Sequence, residues 1–405
     1  MGLTIRFSRF EVQGWLLCLY AISLSVENLQ FLGLHYFSIS KLFAAFYLLS
    51  VSLSYKSFFL NNTTGYYLKP LVAFYGLVFA VSIFNVNDVS QRVIALDVLL
   101  NIVLFVAMVN HSRIDFNVLF RGLLCFGVGT FLVSVLLYFD IGREVNQEGR
   151  VTFFGAGFNE LGLKLVSGFM ILTHFFLKGR RFFGAHWLLV AFLPLMLLSI
   201  LETGSRTAYF ALVLTVLVWI FFSVVNSEKK VGTFVVLTLA MVIVSIPLLH
   251  IAFESDVFIH RFDPNVNVSY ANLGGRDVLW KGFMDIVSGS IFWGYGISGY
   301  EYQSLEYFGF IESPHNAILE ILLYSGVIGL FLYSFFMFRV LKAAYYSARV
   351  LRDYMPMMLL CVFFGYFIAF QALSEKICWL ILAYCVGRYL SSFYSNQHDI
   401  KQSIN

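Results

Sequence analysis

Apolar runs long enough to cross a lipid bilayer recur along the whole chain instead of marking one anchor segment. A hydrocarbon core of ~30 Å takes roughly 20 helical residues to span, and backbone at that depth must satisfy its own hydrogen bonds. Only helices and closed barrels do so, and the runs here are continuously apolar rather than alternating, which selects helices. With 60% hydrophobic and 12% charged residues, against roughly a quarter charged in soluble domains, a water-soluble fold is excluded. The expected fold class is all-α: a polytopic integral membrane protein of about twelve transmembrane helices, forming one domain over residues 1–405.

The runs centre on residues 12–26, 37–54, 68–84, 93–110, 119–139, 160–178, 185–202, 206–225, 231–252, 315–338, 355–373 and 377–393, with Lys41, Asp97 and Lys164 interrupting or bordering theirs. With the N-terminus inside, the inward loops hold Lys56, Arg113, Lys178 with Arg180 and Arg181, Lys229 with Lys230, and the stretch from Arg339 to Arg352. Short basic loops stay in the cytoplasm, so this asymmetry sets the orientation, and an even number of spans returns the C-terminus to the same side. One connection, residues 253–314, is far longer than a usual connector and lies on the outer side. Within it, Asp277–Val287 reads as an amphipathic helix with Trp280, Phe283 and Met284 resting at the membrane interface. Gly294, Gly296 and Gly299 then form a flexible turn.

The net charge of +4 reflects these basic inner loops and gives no sign of nucleic-acid binding. Cys18, Cys125, Cys361, Cys378 and Cys385 fall in apolar stretches without metal-ligand spacing and read as small hydrophobes. No Cys/His metal pattern, phosphate-cradling loop or paired Asp motif occurs, so no metal and no cofactor is expected. The first run follows Arg6 and Arg9 and has no small-residue cleavage site, which fits an uncleaved start-transfer helix.

A few polar residues gather on the outer side. Thr203-Gly204-Ser205-Arg206 heads the eighth span, where unpaired helix N–H groups and a guanidinium make an anion site; alternatively Arg206 snorkels to lipid phosphates. Arg276 follows Gly274-Gly275 and starts the amphipathic helix, either as a ligand for an anion or as an ion-pair partner of Asp277. His315, in Glu312-Ser313-Pro314-His315-Asn316, sits at the start of the tenth span, where the helix dipole disfavours the imidazolium and keeps the ring able to accept a proton. Gly149-Arg150-Val151 and Asn159-Glu160 follow the fifth span and add a further candidate contact for a phosphate or sugar. The other histidines, including His35, His111, His174 and His250, read as structural.

These strings in this order, with Gly294-Tyr295-Gly296, Pro314-His315-Asn316-Ala317-Ile318-Leu319 and Ser325-Gly326-Val327-Ile328-Gly329-Leu330 completing them, resemble the O-antigen ligase and O-antigen polymerase superfamily over roughly Gly149–Leu330. The resemblance implies a membrane-embedded, metal-independent glycosyltransferase of the bacterial inner membrane, with its active site facing the periplasm. Its substrates would be oligosaccharides on undecaprenyl diphosphate; membrane lipids and a chain-length regulator would be its other partners. Carried over motif by motif, Arg206 and Arg276 would hold the donor's diphosphate and His315 would orient or deprotonate the acceptor hydroxyl. Arg150, Asn159, Asn316 and Trp280 would be further substrate contacts. The proline that the family places before the asparagine is Phe158 here, which bears on the role of Arg150. Tyr270, Trp280, Tyr295, Tyr300, Tyr302 and Tyr307 stack on sugars or simply sit at the interface.

Within the superfamily, the aromatic N-terminal half and Phe37-Ser38-Ile39-Ser40-Lys41 resemble a polymerase that joins repeat units. The ligase, which passes the chain to lipid A-core, shares the donor and the three residues. A secondary transporter or flippase would also have about twelve spans, but places its polar residues near the midplane rather than at one face.

Overall fold

A computed structural model describes residues 9–28, 38–58, 64–84, 90–115, 117–146, 149–177, 188–239, 250, 259 and 276–404. In chain order its helices are α1 (Arg9–Ser23), α2 (Ile39–Ser52), the single turn α3 (Tyr55–Phe58), α4 (Gly65–Phe84), α5 (Ser90–Ile114), α6 (Val118–Tyr138), α7 (Phe158–Leu177), α8 (Leu188–Glu202) and α9 (Arg206–Val225). Residues Lys230–Leu239 are also helical. After them come α10 (Arg276–Ser288), α11 (Gly296–Phe308), α12 (Ala317–Arg349), α13 (Met355–Ala369) and α14 (Lys376–Ile404). Among the described residues the apolar runs are largely helical, and segments of four helices, Gly65–Ile83, Val118–Tyr138, Arg206–Val225 and Ala317–Arg349, are long and apolar enough to cross a membrane. The protein is a helical membrane protein. A two-stranded antiparallel hairpin between α6 and α7 (β1, Arg143–Val145; β2, Val151–Phe153) pairs Arg143 with Phe153 and Val145 with Val151; the hydropathy pattern gives no hint of it.

The helices alternate in direction, so their ends collect into two groups. Asn226, after α9, donates to the carbonyl of Ala348 near the end of α12 (2.8 Å) and to the hydroxyl of Tyr354 before α13 (3.4 Å), which gathers those termini at one end. The starts of α7, α9, α12 and α14 gather at the other with the ends of α1, α4, α8 and α13. Buried ions hold that second end together. Glu27, past α1, pairs with Lys376 at the start of α14 and lies 3.7 Å from Lys164 of α7, whose ammonium also pairs with Glu160 one turn earlier. Burial opposes ionisation of Glu27, but Lys376 and Lys164 hold its carboxyl below the usual carboxylate range. Glu375 is pushed well above that range by burial and by Glu160 and Glu27.

Helix α12 is broken at Gly326, which has φ 61° and ψ −162°. The freed backbone groups are taken up by the segment between α10 and α11: Tyr295 N–H donates to Leu323 O (2.7 Å), Val327 N–H to Ile291 O (2.8 Å) and Ile328 N–H to Phe292 O (3.4 Å). Irregular backbone within an apolar bundle is tolerated when protein groups satisfy it in this way. A Cβ on Gly326 would stand 2.2 Å from the carbonyl carbon of Phe292, so only glycine fits. The turn expected at Gly294, Gly296 and Gly299 is therefore corrected: Gly294 and Gly296, both with positive φ, form a pinned insertion, and Gly299 is buried inside α11.

The amphipathic helix of the long connection is present as α10, but Phe283 does not rest at an interface. It is fully buried, with its ring centroid 5.1 Å from Phe308 and 6.1 Å from Tyr300. Ile286 and Val287 share that buried face, while Val278 and Met284 are exposed, so α10 packs on the protein through one stripe. Gly274, Gly275 and Tyr270 lie outside the described residues.

Candidate active site

Asn316 starts α12 by capping it. In extended conformation it accepts from Ile318 N–H (2.9 Å) and Leu319 N–H (3.2 Å) through its side-chain oxygen, as N-cap residues do. His315, one residue earlier, has a left-handed backbone at φ 44°. Its N–H donates to Ser313 Oγ at 3.3 Å, and Ser313 Oγ accepts from the amide of Gln371 at 2.5 Å. The preceding Pro314 carbonyl accepts the indole N–H of Trp280 at 2.9 Å, which ties α10 to the start of α12. Arg276 opens α10 close enough to act on His315 electrostatically. Burial, and then the Arg276 charge, hold the His315 imidazole below its ordinary pKa, with Glu312 working in the opposite direction from 3.8 Å. A neutral, half-buried imidazole beside a guanidinium can accept a proton next to a bound anion. The helix dipole argument predicted the same direction, but the larger causes are burial and Arg276.

A second group forms around the start of α9. Ser205 caps that helix, accepting from Ala208 N–H at 3.2 Å and donating its hydroxyl proton to Asn159 Oδ1 at 2.8 Å. Arg206 is the first residue of α9 and is half-buried. Arg150 Nε donates to Thr203 O at 3.1 Å, and its guanidinium lies 4.1 Å over the ring of Phe158. The residue standing in place of the family's proline thus carries Arg150 on its face. Arg150, Asn159 and Arg206 are brought together through the Thr203–Arg206 turn, as His315, Arg276 and Trp280 are through Pro314.

Phe370, at the end of α13, lies beside His315 and Gly157. Its ring centroid is 6.2 Å from that of His315, and a Cβ on Gly157, beside Phe158, would meet the same ring at 3.6 Å. Sequence reasoning missed Phe370 and Gln371, whose only signal is a short polar interruption between the last two apolar runs. From Ile318, three residues past His315, an apolar groove of about 460 Å³ runs between α12 and α13, lined among others by Leu330, Ser334, Leu341, Phe363 and Phe367.

Residues 191–334 match the family model described as O-antigen ligase. That segment, about a third of the chain, is similar to the O-antigen ligase family. No curated protein and no solved structure matches it. The matched segment contains Arg206, Arg276, Trp280, His315 and Asn316, whereas Arg150, Asn159, Phe370 and Gln371 come from flanking helices and loops. The tyrosines of the long connection divide. Tyr295 donates to Ile286 O (2.9 Å) and Tyr300 to Glu312 O, so both hydroxyls serve the fold, whereas Tyr302 and Tyr307 are exposed.

Proposed function

We propose that the protein is a surface-polysaccharide polymerase of the O-antigen type, joining repeat units carried on undecaprenyl diphosphate at the periplasmic face of the inner membrane. The observation that carries this reading is the pairing of Arg276 with a His315 held below its ordinary pKa at the start of α12. A glycosyl diphosphate leaves readily once its charge is matched, and guanidinium groups match it well. What remains is a base for the acceptor. In the proposed step, the acceptor hydroxyl oxygen bonds to the anomeric carbon of the growing chain, and the bond from that carbon to the carrier diphosphate breaks. The electron pair leaves on the diphosphate, held by Arg206 and Arg276, and the hydroxyl proton passes to His315. The balance is one glycosidic bond, one free carrier diphosphate and one proton, with no metal needed. The groove leading from Ile318 supports the lipid side of the reading, because it offers the carrier's isoprenoid chain an apolar path beside the site.

The family description favours a second reading, the ligase that transfers the finished chain to lipid A-core. Deletion of the gene separates the two. Lipopolysaccharide capped with a single repeat unit marks a polymerase, and loss of all O-antigen marks a ligase. Unchanged banding rejects both. A chelator is expected to leave the purified enzyme's rate unchanged, and inhibition reversed by added metal would contradict the metal-free step.

A further inference from the structure

Gln371 lies outside the matched segment, in the connection between α13 and α14. That connection is well held. Phe370 N–H bonds to Tyr366 O at 2.9 Å, the Ser374 carbonyl accepts from Asn101 of α5 at 3.3 Å, and the Leu373 carbonyl accepts the Trp379 indole N–H at 2.9 Å. Glu375 then enters the buried ion cluster. From this fixed base the Gln371 amide donates to Ser313 Oγ, the oxygen that also accepts the N–H of His315. His315 needs such support, because a left-handed backbone is unfavourable for a residue with a Cβ.

Resting on the reading of His315 as the acceptor's base, we infer that Gln371 is a positioning residue: through Ser313 it holds the left-handed turn that keeps the imidazole beside Arg276 and Phe370. Among the described residues, the charged groups facing His315 are Arg276 from α10 and Glu312 from its own loop. The α13–α14 connection presents the uncharged Phe370 and Gln371 to this turn. Loosening the turn lets the imidazole move into water and away from Arg276, and its pKa then rises toward the ordinary value.

The test uses the full-length protein in nanodiscs and two readouts. The first is the pH dependence of His315 modification by diethyl pyrocarbonate, followed by peptide mass spectrometry, which requires no enzymatic activity. The second is the pH–rate profile of chain extension. Gln371→Met and Ser313→Ala are each expected to move the His315 titration to higher pH. They should also lower turnover roughly tenfold, with the donor KM nearly unchanged. The double variant is expected to be no worse than either single one, since both break one chain of contacts, and Ser313→Thr is expected to retain wild-type behaviour. A titration that overlays wild type in both single variants, or losses that multiply in the double, would overturn the inference and reduce Gln371 to loop packing. A wild-type protein without transferase activity whose titration still shifts in the variants rejects the functional reading and leaves the positioning intact.

Discussion

The rings of His315 and Phe370 lie 6.2 Å apart and are tilted by 30°, although 55 positions separate them in the chain and only the first lies in the matched domain. Phe370 also packs toward Gly157, next to the turn where Asn159 meets Ser205. One aromatic side chain from the end of α13 therefore lies beside both His315 and the chain just before Phe158 and Asn159. The last two helices, which look in the sequence like plain hydrophobic spans, complete the site.

Loss of either principal group should abolish function without loss of protein. His315→Ala and Arg276→Ala are expected to lower chain extension by at least roughly 100-fold, within the range that removal of acid–base or oxyanion-type groups produces. Membrane abundance should stay at wild-type level, because both residues are only half-buried. Arg276→Lys should keep part of the activity, since an ammonium retains the charge but not the bidentate geometry. Blotting beside a polysaccharide ladder reads both quantities, and normal ladders in either alanine variant would remove that residue from the mechanism.

The pH profile follows from the direction of the His315 shift. A base must be neutral to accept a proton, and burial together with Arg276 holds this imidazole below its ordinary value of 6.5. Activity is therefore expected to persist below that pH and to fail only as pH drops through the lowered pKa. Glu312 works against the shift, so Glu312→Gln should move the acid limb to still lower pH while leaving the plateau rate in place. An acid limb that moves upward in this variant would show that Glu312 does not act on His315.

The legibility of the site divides along physical lines. Arg206 and His315 stand out because each borders an apolar run, where a charge is conspicuous, and Arg276 because it follows Gly274-Gly275 at the start of an amphipathic stretch in the long connection. The break at Gly326 is not legible, since one glycine in a long apolar run reads as a tolerated helix residue; the structure shows it matched to a backbone segment about 30 positions away. Lys164 drew attention only as a blemish in its span. Its partner Glu27, and Lys376 which shares that carboxylate, lie in other parts of the chain, and their pairing is set by helix packing that no local pattern encodes.

The buried ions are expected to act on folding rather than chemistry. Lys376→Met removes one ammonium and leaves Glu27 with Lys164, which Glu160 already engages. Breaking a buried pair by removing one partner costs roughly 3–5 kcal/mol. The variant should show a lowered thermal midpoint and reduced membrane yield, with much of the loss recovered in Lys376→Met with Glu27→Gln, which removes the orphaned charge. Unfolding followed by fluorescence size-exclusion after heating would measure it, and a double variant less stable than Lys376→Met would contradict the charge account.

The groove between α12 and α13 gives the lipid side of the proposed reaction its own test. It extends along α12 from Ile318, before the break at Gly326, to Leu341 beyond it. Ser334 lines its middle, and Ser334→Trp would fill it without touching Arg206, Arg276 or His315. A donor with a full-length isoprenoid chain should then show a raised KM, because its tail loses buried apolar contact worth roughly 0.8 kcal/mol per CH₂. A donor carrying only two isoprene units does not reach that depth and should react in the variant as in wild type. That contrast separates tail binding from a general defect: equal impairment of both donors would mean the substitution damages the fold, and no impairment of either would mean that the carrier lies elsewhere on the bundle.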